Sequence, residues 1–144
     1  MLVGEYRNKV DSKKRVPLPK KFREVLGDKL ILTRGYEGCL ILVSAGLWEQ
    51  LTKGVLKGPF TKGAVRDTSR FLFAGAYEIS LDKQGRFVIP KNLCEYAQIE
   101  KEACFLGLGR WVEIWNVQRW NERLEFLSSK GSKIAEKLSE LDGL

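Results

Sequence analysis

The feature that most constrains this chain is internal repetition. Asp11-Ser12-Lys13-Lys14-Arg15-Val16-Pro17-Leu18-Pro19-Lys20 returns as Asp82-Lys83-Gln84-Gly85-Arg86-Phe87-Val88-Ile89-Pro90-Lys91, displaced by 71 residues. The offset holds outward from the motif, setting Gly4 on Gly75, Tyr6 on Tyr77 and Phe22 on Leu93. With one residue added it continues as 72, aligning Gly35 with Gly107, Leu40 with Val112, Leu42 with Ile114, Ser44 with Asn116 and Trp48 with Trp120. One supersecondary unit is therefore written twice. A unit of this size is too small to bury a core alone, so the two copies are expected to share one. What both copies keep is Asp-x-x-x-Arg followed by apolar-x-apolar-Pro. The folded chain presents one charged loop twice, which suits a partner that also repeats.

Within the first unit, Glu5 to Val10 reads as a strand, Asp11 to Lys14 as a turn and Arg15 to Leu18 as a short strand with alternating apolar residues. Gly85 in the second turn marks a position of positive φ; Lys14 stands there in the first, implying a wider, strained or differently shaped turn. Pro19 and Pro90 open short helices at their first position, with Phe22, Val25 and Leu26 buried in one and Leu93, Tyr96 and Ala97 in the other. Strands follow at Leu30 to Thr33 and Leu40 to Val43, matched by Ala103 to Leu106 and Val112 to Trp115, with glycine turns between. Ser44 and Asn116 are N-caps for closing helices.

Each unit thus reads ββαββα. The fold class is α+β, rich in strands, with two units closing one barrel-like body and helices flanking it. The units span 5–51 and 76–123, separated by a helical connector, 52–75, and followed by a helical tail, 124–144. In the connector Gly54, Gly58 and Pro59 break the chain before a helical stretch from Thr61 to Ala74. The tail reads as two amphipathic pieces interrupted at Gly131, and its stripe of Ile134, Leu138 and Leu141 is either core or an intersubunit contact.

Composition narrows the function classes. The chain has no histidine, which removes the commonest general base and metal ligand together. Cys39, Cys94 and Cys104 are odd in number and widely spaced, so a disulfide framework or zinc site is not expected and small core or surface thiols are. No catalytic set, metal or cofactor is expected, and no small-molecule substrate. No apolar run is long enough to span a membrane and the N-terminus lacks a basic flank followed by a hydrophobic stretch, so a cytoplasmic protein is expected. The four tryptophans read as packing residues, two of them matching across the repeats. The net charge of +7 is concentrated in residues 1–35, where ten Lys and Arg face four Asp and Glu. A localised basic surface points to a polyanion, most often nucleic acid.

The doubled loop carries that charge. Asp11 and Arg15, and Asp82 and Arg86, lie at i, i+4 across a turn, so each carboxylate can hold and aim its arginine. An aimed arginine fork matches guanine in the major groove, which also admits a two-stranded β-ribbon. Arg15 and Arg86 are therefore the candidate DNA readers, with Lys13, Lys14 and Lys83 on phosphates. Asp11 and Asp82 are poor candidates for acid–base work, because the neighbouring arginine favours their charged form. An ion pair that only steadies the turn is the bland alternative.

The stretch from Gly75-Ala76-Tyr77-Glu78 through Leu81-Asp82-Lys83-Gln84-Gly85-Arg86-Phe87-Val88-Ile89-Pro90, with Leu93 and Glu95-Tyr96-Ala97, resembles the second half of MraZ proteins. Gly4 to Leu26, with Asp11, Arg15, Pro19, Phe22, Arg23 and Glu24, resembles the first half. The resemblance covers the chain to about residue 127. It implies a tandem AbrB/SpoVT-type swapped-hairpin barrel and a bacterial transcriptional regulator, nucleoid-associated, that binds short repeats of double-stranded DNA in the promoter of the division and cell-wall gene cluster. It also implies a homo-oligomer, closed as a ring. Lys14 stands where the family usually has glycine, and Cys94 where an arginine is common. With the charge asymmetry, these departures make the first unit the stronger expected DNA binder, with Arg15→Ala more damaging than Arg86→Ala. Two other readings remain open: an antitoxin-like interaction module whose tail wraps a partner, and an RNA-binding protein.

Overall fold

The computed structural model describes residues 1–141. In the first repeat, β1 (Leu2–Lys9) leads through the charged turn into β2 (Arg15–Pro17), α1 (Lys20–Leu26), β3 (Leu30–Arg34) and β4 (Leu40–Ser44). Two helices follow, α2 (Ala45–Lys57) and α3 (Gly63–Leu72). The second repeat gives β5 (Tyr77–Ile79), β6 (Arg86–Val88), α4 (Lys91–Ala97), β7 (Glu102–Gly109), β8 (Val112–Trp115) and the long α5 (Val117–Leu138).

β3 pairs with β4 and β7 with β8 inside each repeat, and every other strand pairing crosses between the repeats. One six-stranded antiparallel sheet runs β1-β7-β8-β4-β3-β5, and β2 pairs with β6 in a second, two-stranded sheet. Exchanging each strand for its counterpart reverses the sheet order, so a pseudo-two-fold axis passes between β4 and β8 and through the ribbon. The register obeys it: Leu40 faces Ile114 and Leu42 faces Val112, while Arg15 faces Val88 and Pro17 faces Arg86. β1 and β2 flank the first charged turn but take different partners, β1 pairing with β7, so the ribbon is made by one strand from each repeat.

Register also corrects one alignment. Arg34 pairs with Leu40 and Gly107 with Val112, so the structural counterpart of Gly107 is Arg34, not Gly35. The two residues do opposite jobs. A Cβ on Gly107 would lie 2.5 Å from Val3 N, so only glycine lets β1 run the full length of β7. Arg34 instead donates to the carbonyls of Phe71 and Arg70, and Thr33 to that of Leu72, which ends α3 against the sheet and leaves β5 just three residues to pair.

A single buried cluster draws on both repeats: Val16, Leu18 and Phe22 meet Phe87, Ile89 and Leu93 under the ribbon, with Leu32, Leu42, Phe105 and Ile114 from the large sheet. Ser44 and Asn116 cap α2 and α5 as expected, accepting from Leu47 and Arg119 main-chain N–H. Pro19 and Pro90 sit one place earlier than expected, as the N-cap residues. Val25 is exposed rather than buried, because α1 is too short to present more than Phe22 and Leu26 to the core.

Two expectations about the helices are also overturned. α2 runs through Gly54 and α5 through Gly131, since a lone glycine costs only about 1 kcal/mol against alanine when its helix is otherwise well formed. Ile134, Leu138 and Leu141 are exposed, so of the two readings of that stripe the core one falls and the intersubunit one stands. The three cysteines are buried and unpaired, and burial pushes the Cys104 thiol up to about 11. Trp115 is buried against Trp120, and Trp48 packs on Phe73, as packing residues should. Among the described residues no helix is long and apolar enough to cross a membrane.

Candidate nucleic-acid interface

Both charged turns are built alike. Asp11 Oδ1 accepts from the main-chain N–H of Lys13 and Arg15 at 2.9 Å each, and Oδ2 accepts from Arg15 Nε at 2.7 Å. Asp82 repeats this with Gln84 and Arg86 N–H at 2.9 Å and Arg86 Nε at 2.8 Å. The turns close with Lys14 N–H on the Asp11 carbonyl and Gly85 N–H on the Asp82 carbonyl. Lys14 takes φ 63° and Gly85 φ 75°, so the first turn has the same shape as the second and accepts the strain. A non-glycine residue there costs roughly 1 kcal/mol or more. The aspartate's bonds to the flanking N–H groups offset that cost.

Electrostatics agree with the geometry. The Arg15 N–H holds the Asp11 carboxyl below its usual range, against a smaller opposing effect of desolvation, and the Arg15 side chain adds to the lowering. Asp82 is lowered in the same way by Arg86. Each carboxylate engages its arginine through Nε, and among the described residues no hydrogen bond joins the terminal nitrogens of Arg15 or Arg86 to another group. The aspartates thus act on a ligand through the arginines they position.

The ribbon brings the two readers together. Val16 and Phe87 point into the core, so Arg15, Pro17, Arg86 and Val88 share the outer face. Arg15 faces Val88, two residues from Arg86, which makes the arginines diagonal neighbours about 7–8 Å apart at Cα. The loops lie at opposite ends of the ribbon, with Lys13 and Lys83 exposed and Lys14 half-buried. All the residues singled out from sequence therefore fall on one composite surface rather than on two distant ones.

Two features escaped the sequence reading. Arg23, on the first repeat's α1, reaches the second loop and lies against Gly85. The signal was present in the paired exchange of Lys14 for Gly85 and Arg23 for Cys94, which only the swapped topology connects. On the far side of the molecule, α2, α3 and the large sheet enclose an apolar cleft of about 590 Å³, lined by residues including Ile41, Val43, Trp48, Leu51, Leu72 and Trp111. Its sequence signal was a set of apolar residues indistinguishable from core.

The family described as "MraZ protein, putative antitoxin-like" matches this chain twice, over residues 1–71 and 72–140. The chain belongs to the MraZ family. The division between the two MraZ matches falls at the internal duplication. A protein of Clostridium acetobutylicum named "Transcriptional regulator MraZ" is 47% identical over 98% of this chain and 99% of its own length. Relatives of the same name from Caldicellulosiruptor saccharolyticus and Syntrophomonas wolfei are 46% and 41% identical over the same shares. The tandem AbrB/SpoVT-like architecture expected of MraZ proteins is the one described above.

Proposed function

We propose that this chain is a sequence-specific, DNA-binding transcriptional regulator that sets the β2–β6 ribbon in the major groove. Arg15 and Arg86 read base edges, Lys13, Lys14 and Lys83 contact phosphates, and Asp11 and Asp82 hold the arginines in place. The observation that carries this reading is the pair of diagonal arginines on one ribbon, each gripped through Nε by the aspartate of its own loop. The names of the relatives support regulation of transcription. Short promoter repeats upstream of division and cell-wall genes are the proposed targets, met by a homo-oligomer, closed as a ring, whose weak single contacts combine through effective concentration. The apolar cleft behind the sheet, with Leu56 and Phe60 exposed nearby, supplies surface for such assembly. The cytoplasm, at the nucleoid, is the corresponding location.

A salt titration tests it, using duplex DNA with several short repeats against scrambled duplex of equal length. Wild type should prefer the repeats at moderate salt, and Arg15→Ala/Arg86→Ala should lose that preference. Each lysine replaced should lower the salt slope by about 1 without altering preference. Equal binding of both duplexes by both proteins would reduce the doubled motif to a brace. A second reading, capture of a protein partner by the tail, is favoured by one observation: Ile134, Leu138 and Leu141 stand exposed on and just beyond α5.

A further inference from the structure

The swapped topology seats each loop on the other repeat's helix. Leu18 N–H donates to the Gly85 carbonyl at 3.0 Å, and Ile89 N–H donates to that of Lys14 at 2.9 Å. Beneath the second loop, α1 presses Arg23 against Gly85, where a built Cβ would land on the guanidinium. Gly85 is thus required twice, for its φ of 75° and for having no side chain. Beneath the first loop the roles are exchanged. There α4 offers the small Cys94, and Lys14 brings a cation from the loop itself; burial raises the Cys94 thiol while the nearby Lys14 charge opposes it. One loop combines glycine with a borrowed arginine, the other lysine with a small neighbour.

Arg23 is also without a counter-charge. Among the described residues it makes no ion pair and no side-chain hydrogen bond, and its Nε is buried with no acceptor. Asp82, the carboxylate of that loop, is already committed to Arg86. An unpaired guanidinium beside a loop that faces a polyanion is a group awaiting an oxygen acceptor, and its planar fork matches phosphate.

We propose that Arg23 is a backbone-phosphate contact of the second loop, the counterpart in trans of Lys14 in the first. Each Asp-x-x-x-Arg loop then carries one further cation, delivered by a different route. This assignment rests on the nucleic-acid reading above.

The test is the salt dependence of duplex binding by the full chain, with thermal unfolding measured alongside. Arg23→Cys should reduce the slope of log affinity against log salt by about 1 per engaged subunit, and weaken repeat and scrambled duplex by the same factor. Adding Gly85→Lys builds the first loop's arrangement on the second and should restore the slope; Lys14 at φ 63° shows that lysine is tolerated in that conformation. If Arg23→Cys keeps the wild-type slope, with or without a lower unfolding midpoint, while Arg15→Ala/Arg86→Ala loses repeat preference, Arg23 is a brace and the proposal falls. If the double alanine variant binds like wild type, the nucleic-acid reading itself fails.

Discussion

Each aspartate of the doubled loop accepts three hydrogen bonds, two from main-chain N–H groups and one from its arginine. All three favour the carboxylate, so the folded pKa lies below the ordinary 3.8. A depressed folded pKa stabilises the loop at every pH above 3.8, and that support is lost as pH falls through the lowered value. A carboxyl titration by NMR should place both midpoints below 3.8, and Arg15→Ala should return Asp11 only part of the way, because its main-chain donors remain. Asp11→Asn makes the sharper test. The amide oxygen can still accept from Lys13 and Arg15 N–H, but an NH2 group now meets Arg15 Nε–H, and the aim of the guanidinium is lost. The net charge of +7 becomes one more positive. Affinity for scrambled duplex should therefore rise while preference for the repeats falls about tenfold, the loss of one good arginine–base match. A variant that tightened both duplexes equally would show that the aspartate merely dilutes charge. The Asp–Arg partnership was legible because i, i+4 across a turn is a local relation. The shape of the Lys14 turn was not, since side-chain statistics set lysine against positive φ and the compensating Asp11 bonds lie in the fold.

At the level of elements, most strands and helices could be read from apolar periodicity, while their pairing could not. β1 and β5 carry the same pattern and meet edges that also repeat, so alternation alone cannot choose between a hairpin within one unit and a partner in the other. Buried contacts decide it, through Gly107 on one side and Arg34 on the other. The swap also redistributes charge. Arg23 counts toward the basic first repeat in the sequence, yet it lies at the second loop. The surplus on residues 1–35 is therefore shared across the ribbon in space, and each loop has its arginine and an extra cation. Arg15→Ala and Arg86→Ala should then weaken binding to the repeats by factors within about threefold of each other, each in the range of one lost arginine–base contact. A tenfold greater loss for Arg15 would restore the linear count of charge as the better guide. The stripe on α5 stayed open between core and intersubunit contact for a related reason: periodicity shows that a face is apolar, and leaves open whether the same chain covers it.

For the whole molecule, the repeats have diverged into complementary halves. Val16 faces Phe87 at the centre of the ribbon, where the pseudo-two-fold axis brings each residue onto its own counterpart. Two copies of the first repeat would set valine against valine and open a cavity costing roughly 2–4 kcal/mol. Two copies of the second would oppose two phenylalanines and overpack the same place by about 1–3 kcal/mol. The sheet edge adds a second asymmetry: β1 needs glycine beneath Val3, and a homodimer of first repeats would offer Arg34 there instead. Against a total stability of about 5–15 kcal/mol for a domain, and with association now bimolecular, these penalties decide the outcome. Fragments 1–74 and 75–144, prepared separately, should show no cooperative thermal transition, whereas mixing them should give a 1:1 complex that melts cooperatively. The mixed complex should also recover the diagonal arginines, and with them preference for the DNA repeats. If either fragment alone formed a homodimer as stable as the mixture, the Val16–Phe87 and Gly107–Arg34 differences would be neutral drift. Recovery only on mixing would show that duplication allowed one symmetric interface to become two specialised sides of a single body.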